Sequence, residues 1–319
     1  MKCFFITKKT SIFAKNFIYT MDWESKIKEF EQYLKLEKGL SKNSVEAYIA
    51  DLHKLTQFLI DNENNVQPED VTLSHLIKML DFEREKGINP RTQARIISAI
   101  KSFFKYMLIE EKIEKDPSSL LEAPKIGRKL PDTLTINEIE AFIEAIDTKK
   151  PEGQRNKAII ETLYAGGLRV SELTNLKISN LYFESGYVKI EGKGNKERLA
   201  PIGKKAIKEI NLYLSQYRRT LKINKSDEDI LFLNRRGKKL TREMIFTIIK
   251  NTMKLVNIHK NVSPHTFRHS FATHLIDGGA NLKSVQDMLG HESIITTEIY
   301  THLDKEYLKN TITQFHPRS

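Results

Sequence analysis

Cysteine is nearly absent from this sequence of 319 residues, which contains Cys3 alone. A single cysteine can build neither a disulfide framework nor a thiolate metal site, so the chain suits a reducing compartment and we expect it to be cytoplasmic. No apolar run approaches the roughly 20 residues needed to span a bilayer, which gives no reason to expect a membrane partner. The phosphate-binding pattern G-x-x-x-x-G-K-[ST] is also missing, so the sequence offers no loop of that kind for a nucleotide cofactor.

Acidic residues are the minority among the charged ones. The 41 Asp and Glu residues face 52 Lys and Arg residues, which leaves a net charge of +11, and the sequence pI is about 9.4. A basic surplus spread along the chain favours a polyanionic partner, most often nucleic acid, although it is equally compatible with a surface whose charge only aids solubility. Hydrophobic residues at 39% and charged residues at 29% indicate a folded globular protein.

The first segment, residues 1–21, carries four lysines and no acidic residue. Its lysines interrupt the apolar core that a signal peptide needs. We interpret it as a leader translated from an upstream start codon, with Met21 as the true start, or as a disordered basic arm.

Residues 22–115 show the apolar periodicity of a helical domain. Its fourth helix begins at Asn89-Pro90, where a capping residue precedes a proline at the first helical position. That helix has an apolar stripe on one side and Arg91, Arg95 and Lys105 on the other. A basic face of this kind fits a phosphate backbone, and it fits an ordinary solvated surface as well.

Residues 116–134 contain three prolines and little helical period, which is typical of a linker. A second domain, residues 135–319, opens with a capping box formed by Thr135 and Glu138. Residues 187–203 alternate around a Gly-Lys-Gly-Asn turn and predict a β-hairpin. The expected fold class is therefore mainly α, with a mixed α/β second domain that contains a small sheet.

Two positions in the second domain could bind a phosphate. His265 and Arg268 lie near the start of a helix capped by Ser263, where backbone N–H groups, the helix dipole and a guanidinium converge. Arg169 follows a Gly-Gly pair between two helices, and a guanidinium can hold phosphate oxygens in a planar fork.

Two other readings of the histidine-rich helix remain. Its histidines at 265, 269 and 274 could bind a metal, but they lack the glutamate of a zincin motif and a neighbouring carboxylate cluster, so no metal is expected. The helix, the following Gly-Gly turn and the next helix could also form a helix-turn-helix that reads a DNA groove.

Three further side chains complete a candidate active site. Lys193 lies at the tip of the hairpin, where Lys196 and Arg198 add charge. His291 and Tyr300 are nine residues apart and would point to opposite sides of one helix, but Gly290 predicts a break that places them on different elements.

Such a set can transfer a phosphoryl group without a metal. Arginines neutralise the non-bridging oxygens of the transition state, a tyrosine hydroxyl attacks phosphorus, and a lysine protonates the leaving alkoxide.

These motifs resemble the tyrosine recombinase, or phage integrase, family, and most closely the bacterial Xer-type site-specific recombinases. The resemblance covers about residue 22 to the end of the chain. It is carried by YAGGLRVSEL, GKGNKER, SPHTFRHSFATHL, MLGHESIITTEIYTHL and GLSKNSVEAYIADL.

The resemblance implies six catalytic residues and neither a metal nor a nucleotide cofactor. Tyr300 would form a 3′-phosphotyrosyl link to DNA, and Lys193 would protonate the leaving 5′ oxygen. Glu172 matches an acid that supports the first arginine. The remaining four would bind the scissile phosphate or assist proton transfer: Arg169, His265, Arg268 and His291.

The resemblance also implies partners. A SAM-like helical core-binding domain and a catalytic domain would clamp double-stranded DNA at a dif-like recombination site. Four protomers, identical or paired with a related recombinase, would exchange C-terminal tails. Resolution of chromosome dimers would link the protein to chromosome partition and cell division, with a septal DNA translocase as a further implied partner.

Three alternatives stay open: a type IB topoisomerase-like enzyme, an integrase of a mobile element, and a helix-turn-helix regulator that binds DNA without cutting it. The predicted DNA contacts, mostly to phosphates, are Arg91, Arg95, Lys101 and Lys196.

Overall fold

The computed structural model describes residues 22–63, 66–125, 127, 132–192, 197–290 and 302–318, with the backbone alone for residues 302–307. The chain divides into two compact units, the first within Met1–Arg128 and the second within Lys129–Ser319. The boundary between them falls inside the proline-containing segment 116–134, whose described residues form neither a helix nor a strand. The proposed leader, residues 1–21, lies outside the described residues.

The first unit is helical, as the periodicity predicts. Helix α1 spans residues 22–36, and the next three are α2 (Lys42–Asn62), α3 (Leu73–Glu85) and α4 (Pro90–Ile109). Ser41, Thr72 and Asn89 cap these three helices with their side chains.

An aromatic cluster closes the core of the first unit. The ring of Phe103 lies 5.8 Å from that of Trp23 and 5.4 Å from that of Phe30, and all three side chains are fully buried. Arg91, on the other face of α4, is exposed, and the six apolar residues of the predicted stripe are buried: Ile96, Ile97, Ile100, Phe103, Phe104 and Met107. The sequence prediction for this helix is confirmed.

The second unit is also mainly helical. Its capping box is present, since Thr135 accepts from the N–H of Glu138 and the Glu138 carboxylate accepts from that of Thr135. Its first helices are α5 (Ile136–Glu144), α6 (Gly153–Ala165) and α7 (Val170–Asn175). Those that follow the sheet are α8 (Lys204–Leu212), α9 (Arg242–Met253), α10 (Pro264–Asp277), α11 (Leu282–Leu289) and α12 (His302–Phe315).

The small sheet has one strand more than the predicted hairpin. Strands β2 (Tyr187–Glu191) and β3 (Glu197–Pro201) pair antiparallel, and β1 (Leu181–Tyr182) pairs with the outer edge of β2. A strand of two residues has no detectable alternation, which is why the sequence did not predict β1. Residues 193–196, the tip of the hairpin, lie outside the described residues.

The C-terminal helix packs on its own chain. Leu308 and Ile312 of α12 belong to the core of the second unit. After α12, His316 is buried and Arg318 forms an ion pair with Glu161 of α6. Within the described ranges, no helix has the length and apolar character required to cross a membrane.

Candidate active site

Arg169 is held at the junction of two helices. Helix α6 ends at Ala165, the chain turns through Gly167 in the left-handed region (φ 55°), and Arg169 is the residue before the first turn of α7. Its backbone N–H donates to Oε2 of Glu172 over 2.8 Å, and its guanidinium donates to Oε1 over 2.8 Å. Glu172 therefore fixes both the backbone and the head group of Arg169.

Arg268 reaches the same junction from α10. It is buried, and its two terminal nitrogens donate to the carbonyls of Gly167 (2.7 Å) and Leu289 (2.6 Å). Burial, together with the charges of Arg169 and Arg198, lowers the pKa of Arg268 to about 10, while Glu172 opposes that shift. Arg268 thus remains a cation at neutral pH.

One buried carboxylate lies among three guanidinium groups. Oε2 of Glu172 accepts from Arg198 over 2.9 Å and lies 3.9 Å from Arg268, in addition to its bonds with Arg169. One negative charge against three positive charges leaves this cluster with an excess of two positive charges. The side chain of Arg169 is 40% exposed whereas that of Glu172 is 3% exposed, so Arg169 offers the cluster's positive charge to an incoming anion.

Two glycines allow these elements to approach closely. A Cβ at Gly167 would lie 2.5 Å from the ring of Phe271, and one at Gly290 would lie 2.8 Å from the side chain of Arg198. Gly290, at the end of α11, also has φ 64°, a conformation that side chains disfavour. The helix end predicted at Gly290 is confirmed, and it brings the carbonyls of Leu289 and Gly290 to the arginines.

Two local expectations were wrong. Arg198 does not add charge to the hairpin tip: it is 7% exposed and its guanidinium bonds to Glu172, because its position on β3 points the side chain inward. The start of α10 is not an open set of N–H groups either. Ser263 accepts from the N–H of Thr266 in a capping box, and Arg268 turns instead to the Gly167 carbonyl.

His265 and His269 lie on the exposed side of α10. Burial lowers the pKa of His269, and the neighbouring charges of His265 and Arg268 act in the same direction, so its neutral form is favoured. In the described part of the chain, no three His, Cys, Asp or Glu side chains are grouped so that they could hold a metal ion.

The structure therefore brings together Arg169 and Arg268, and places His265 on the same helix as Arg268. Lys193, His291 and Tyr300 lie outside the described residues, as does the predicted DNA contact Lys196. Sequence reasoning missed Arg198 as part of the cluster. The sequence signal that could have identified Arg198 is its position on a predicted strand, five residues after Lys193, in the hairpin that follows the helix containing Glu172.

The predicted DNA contacts of the first unit differ in their surroundings. Arg91 is exposed near the start of α4. Lys101 donates to the carbonyl of Ser119 over 3.3 Å. Arg95 forms a two-pronged ion pair with the fully buried Asp51 of α2, with N–O distances of 3.0 and 3.1 Å. Arg95 therefore has a structural role, whatever it contacts outside the protein.

Each of the two units matches a known protein family domain. Residues 132–307 match the phage integrase family, and residues 27–112 match the phage integrase N-terminal SAM-like domain. A tyrosine recombinase XerD of Listeria innocua is 41% identical over 92% of this chain and 99% of its own length. A tyrosine recombinase XerD of Staphylococcus aureus is 40% identical over 93% of this chain and its full length.

Solved structures agree with the fold. The XerH site-specific recombinase bound to palindromic difH substrate matches with a TM-score of 0.64 and 25% identity, over 90% of this chain and 84% of that one. A lambda integrase dimer bound to a COC′ core site matches with a TM-score of 0.66 over 85% of this chain and 95% of that one; at 17% identity it supports the fold alone. The extent of these matches, across both units and the arginine cluster, shows that the chain belongs to the phage integrase family of tyrosine recombinases.

Proposed function

We propose that this protein is a site-specific DNA recombinase that cuts and rejoins DNA strands through a 3′-phosphotyrosyl intermediate. The observation that carries the proposal is the cluster of Arg169, Arg198 and Arg268 around Glu172. Its excess positive charge is partly buried, and a low local dielectric strengthens its attraction for a phosphodiester.

In this proposal the arginines hold the scissile phosphate. Arg169, the most exposed of the three, binds a non-bridging oxygen, and Arg268 is the second fork. As negative charge grows on the phosphate oxygens in the transition state, these preformed cations stabilise it more than they stabilise the ground state.

The proton transfers are assigned to residues around the arginines. Tyr300 attacks phosphorus and displaces the 5′ oxygen, which Lys193 protonates. His265 assists proton transfer, and His291 donates a hydrogen bond to the phosphate. The phosphotyrosyl ester conserves the energy of the phosphodiester bond, so the 5′ hydroxyl of a partner strand can reverse the reaction without ATP.

Double-stranded DNA and further protomers complete the proposal. Solved relatives include a recombinase on a difH substrate and a lambda integrase tetramer on a Holliday junction. We infer that this chain acts as a homo- or hetero-tetramer on a dif-like site, and that it resolves chromosome dimers in the cytoplasm, where a septal DNA translocase would control it. The XerD relatives support this role over the integration of a mobile element.

Covalent trapping tests the chemistry. The protein is mixed with a nicked suicide substrate that carries a dif-like site, and the products are run on a denaturing gel beside Tyr300→Phe. We expect a protease-sensitive protein–DNA band that disappears in the variant. If the wild-type protein binds the site on a native gel but gives no covalent band, alone or with a related recombinase, the chain is a DNA-binding regulator rather than a recombinase.

A further inference from the structure

Arg198 connects three elements of the candidate active site. It lies on β3, opposite Ile190 of β2, directly after the hairpin tip that carries Lys193. Its guanidinium reaches across 26 residues of sequence to Oε2 of Glu172. Its side chain is 7% exposed.

The stem of Arg198 packs on the end of α11. A Cβ added at Gly290 would lie 2.8 Å from both Cδ and Nε of Arg198. The Gly290 carbonyl in turn accepts from the guanidinium of Arg169 over 3.2 Å. Arg198 and Arg169 therefore share two neighbours, Glu172 and Gly290.

Glu172 is divided between the two arginines. Oε1 accepts from the Arg169 guanidinium, while Oε2 accepts from the Arg169 backbone N–H and from Arg198. Without Arg198, the Glu172 carboxylate would lose one of the two guanidinium groups that donate hydrogen bonds to it, and it could rotate toward Arg268, which is 3.9 Å away. Such a rotation would shift the guanidinium of Arg169, because Glu172 holds it.

We propose that Arg198 is a positioning residue for strand cleavage, which acts through Glu172 on Arg169 without touching the phosphate. This inference rests on the proposed function. Its physical reason is that the Arg169 side chain is 40% exposed and, among the described residues, is held by hydrogen bonds to Glu172 and Gly290, both of which Arg198 contacts. A displacement of about 1 Å in a group that binds the transition state can cost on the order of 100-fold in rate.

A second buried arginine provides a matched control. Arg155, near the start of α6, is 5% exposed and donates to the Leu233 carbonyl over 3.1 Å and to Asn156. Along α6, Arg155 lies about 15 Å from Ala165, where the active-site junction begins. Arg155→Met removes the same group and reports the general cost of losing a buried arginine.

The test measures cleavage apart from binding and folding. Arg198→Met, Arg198→Lys and Arg155→Met are compared with the wild-type protein on the suicide substrate, with every protein saturating the DNA. We expect Arg198→Met to slow formation of the covalent band by at least about tenfold, with a DNA dissociation constant within about threefold of wild type. Arg155→Met should keep the wild-type rate at a temperature where circular dichroism shows it folded. A wild-type rate in Arg198→Met, or a slow rate explained by weak DNA binding, would overturn the proposal.

A double-mutant cycle tests the route through Glu172. If Arg198 acts through that carboxylate, adding Glu172→Gln to Arg198→Met should slow cleavage little beyond the slower single variant. Multiplication of the two losses would show independent roles and refute the route. If Arg198→Met does not fold, the cycle is run with Arg198→Lys, which keeps the charge and loses the planar fork.

The control lane separates this inference from the proposed function. A wild-type protein without a Tyr300-dependent band overturns both. A wild-type band with unaltered cleavage in the Arg198 variants leaves the recombinase function standing and overturns the role of Arg198 alone.

Discussion

Single residues in this protein show how close packing and buried charge restrict substitution. Gly167 combines a left-handed backbone conformation with the ring of Phe271 against its Cα. His316 is a buried histidine whose Nε2 has no hydrogen-bond partner among the residues that the structure describes. Each of these residues leads to a prediction about the stability of the second unit.

Gly167→Ala should destabilise the second unit by about 3 kcal/mol, since a left-handed alanine and a forced contact each cost on the order of 1–3 kcal/mol. Gly186→Ala is the matched control: its φ is 75°, but the new Cβ would meet only the flexible end of Lys309, at 3.3 Å. The control should lose about 1 kcal/mol. Urea unfolding followed by circular dichroism measures both, and equal losses would show that Phe271 moves aside.

The stability of the second unit should depend on pH through His316. Burial lowers the pKa of His316 to about 3, with His274 and Arg318 acting in the same direction. The folded state thus keeps this group neutral, while the unfolded chain binds a proton below its ordinary pKa near 6.5. The contribution of the neutral imidazole is complete above that pH and is lost as the pH falls from 6.5 toward 3, by about 1.4 kcal/mol per pH unit.

The comparison with His316→Phe isolates this residue. The variant should have the flatter dependence of unfolding free energy on pH between 5 and 6.5, measured by urea unfolding. Parallel curves would mean that the imidazole becomes protonated without leaving its buried position. His274 contributes a pH dependence of its own to both proteins, because burial lowers its pKa as well.

Pairs of elements are joined by charges that lie far apart in sequence. Asp51 of α2 and Arg95 of α4 are 44 residues apart and form a two-pronged pair, and Lys54 lies 3.6 Å from the same carboxylate. Burial raises the pKa of Asp51, while Arg95 and Lys54 oppose that shift. The carboxylate needs its partners, because an uncompensated buried charge is costly.

Arg95→Met should therefore destabilise the first unit by about 2–3 kcal/mol, somewhat less than for a fully buried pair because the Arg95 side chain is 44% exposed. Asp51→Asn in the same chain should recover part of the loss. Fluorescence of Trp23, the single tryptophan, reports unfolding of this unit.

Arg91→Ala, on the exposed face of the same helix, should change stability by less than about 0.5 kcal/mol. A stable Arg95→Met protein with weakened DNA binding would instead assign Arg95 to DNA alone.

The whole molecule is basic, with a net charge of +11. If its surplus faces DNA, the logarithm of the binding constant should fall linearly with the logarithm of salt concentration, by about 0.9 for each phosphate neutralised. Arg91→Ala should reduce that slope by about 1 and weaken specific and non-specific DNA to the same extent. Filter binding over a series of salt concentrations measures the slope. An unchanged slope would remove Arg91 from the predicted DNA contacts.

Local rules were enough to predict much of the fold. The caps at Asn89, Thr135 and Ser263 were readable because capping depends on residues three positions apart. The apolar stripe of α4 and the hairpin of β2 and β3 followed from periods of 3.6 and 2 residues.

By itself, the sequence determined the helices, the motifs that resemble a recombinase, and the positions of Arg169 and Arg268 in them. Tertiary structure alone decided which charges meet. Arg198, which was expected to add charge to the hairpin tip, instead binds Glu172 in the arginine cluster. Arg95 forms an ion pair with the buried Asp51. The physical reason is that an ion pair depends on which elements pack together, and neither charge carries a local periodic signal of its distant partner.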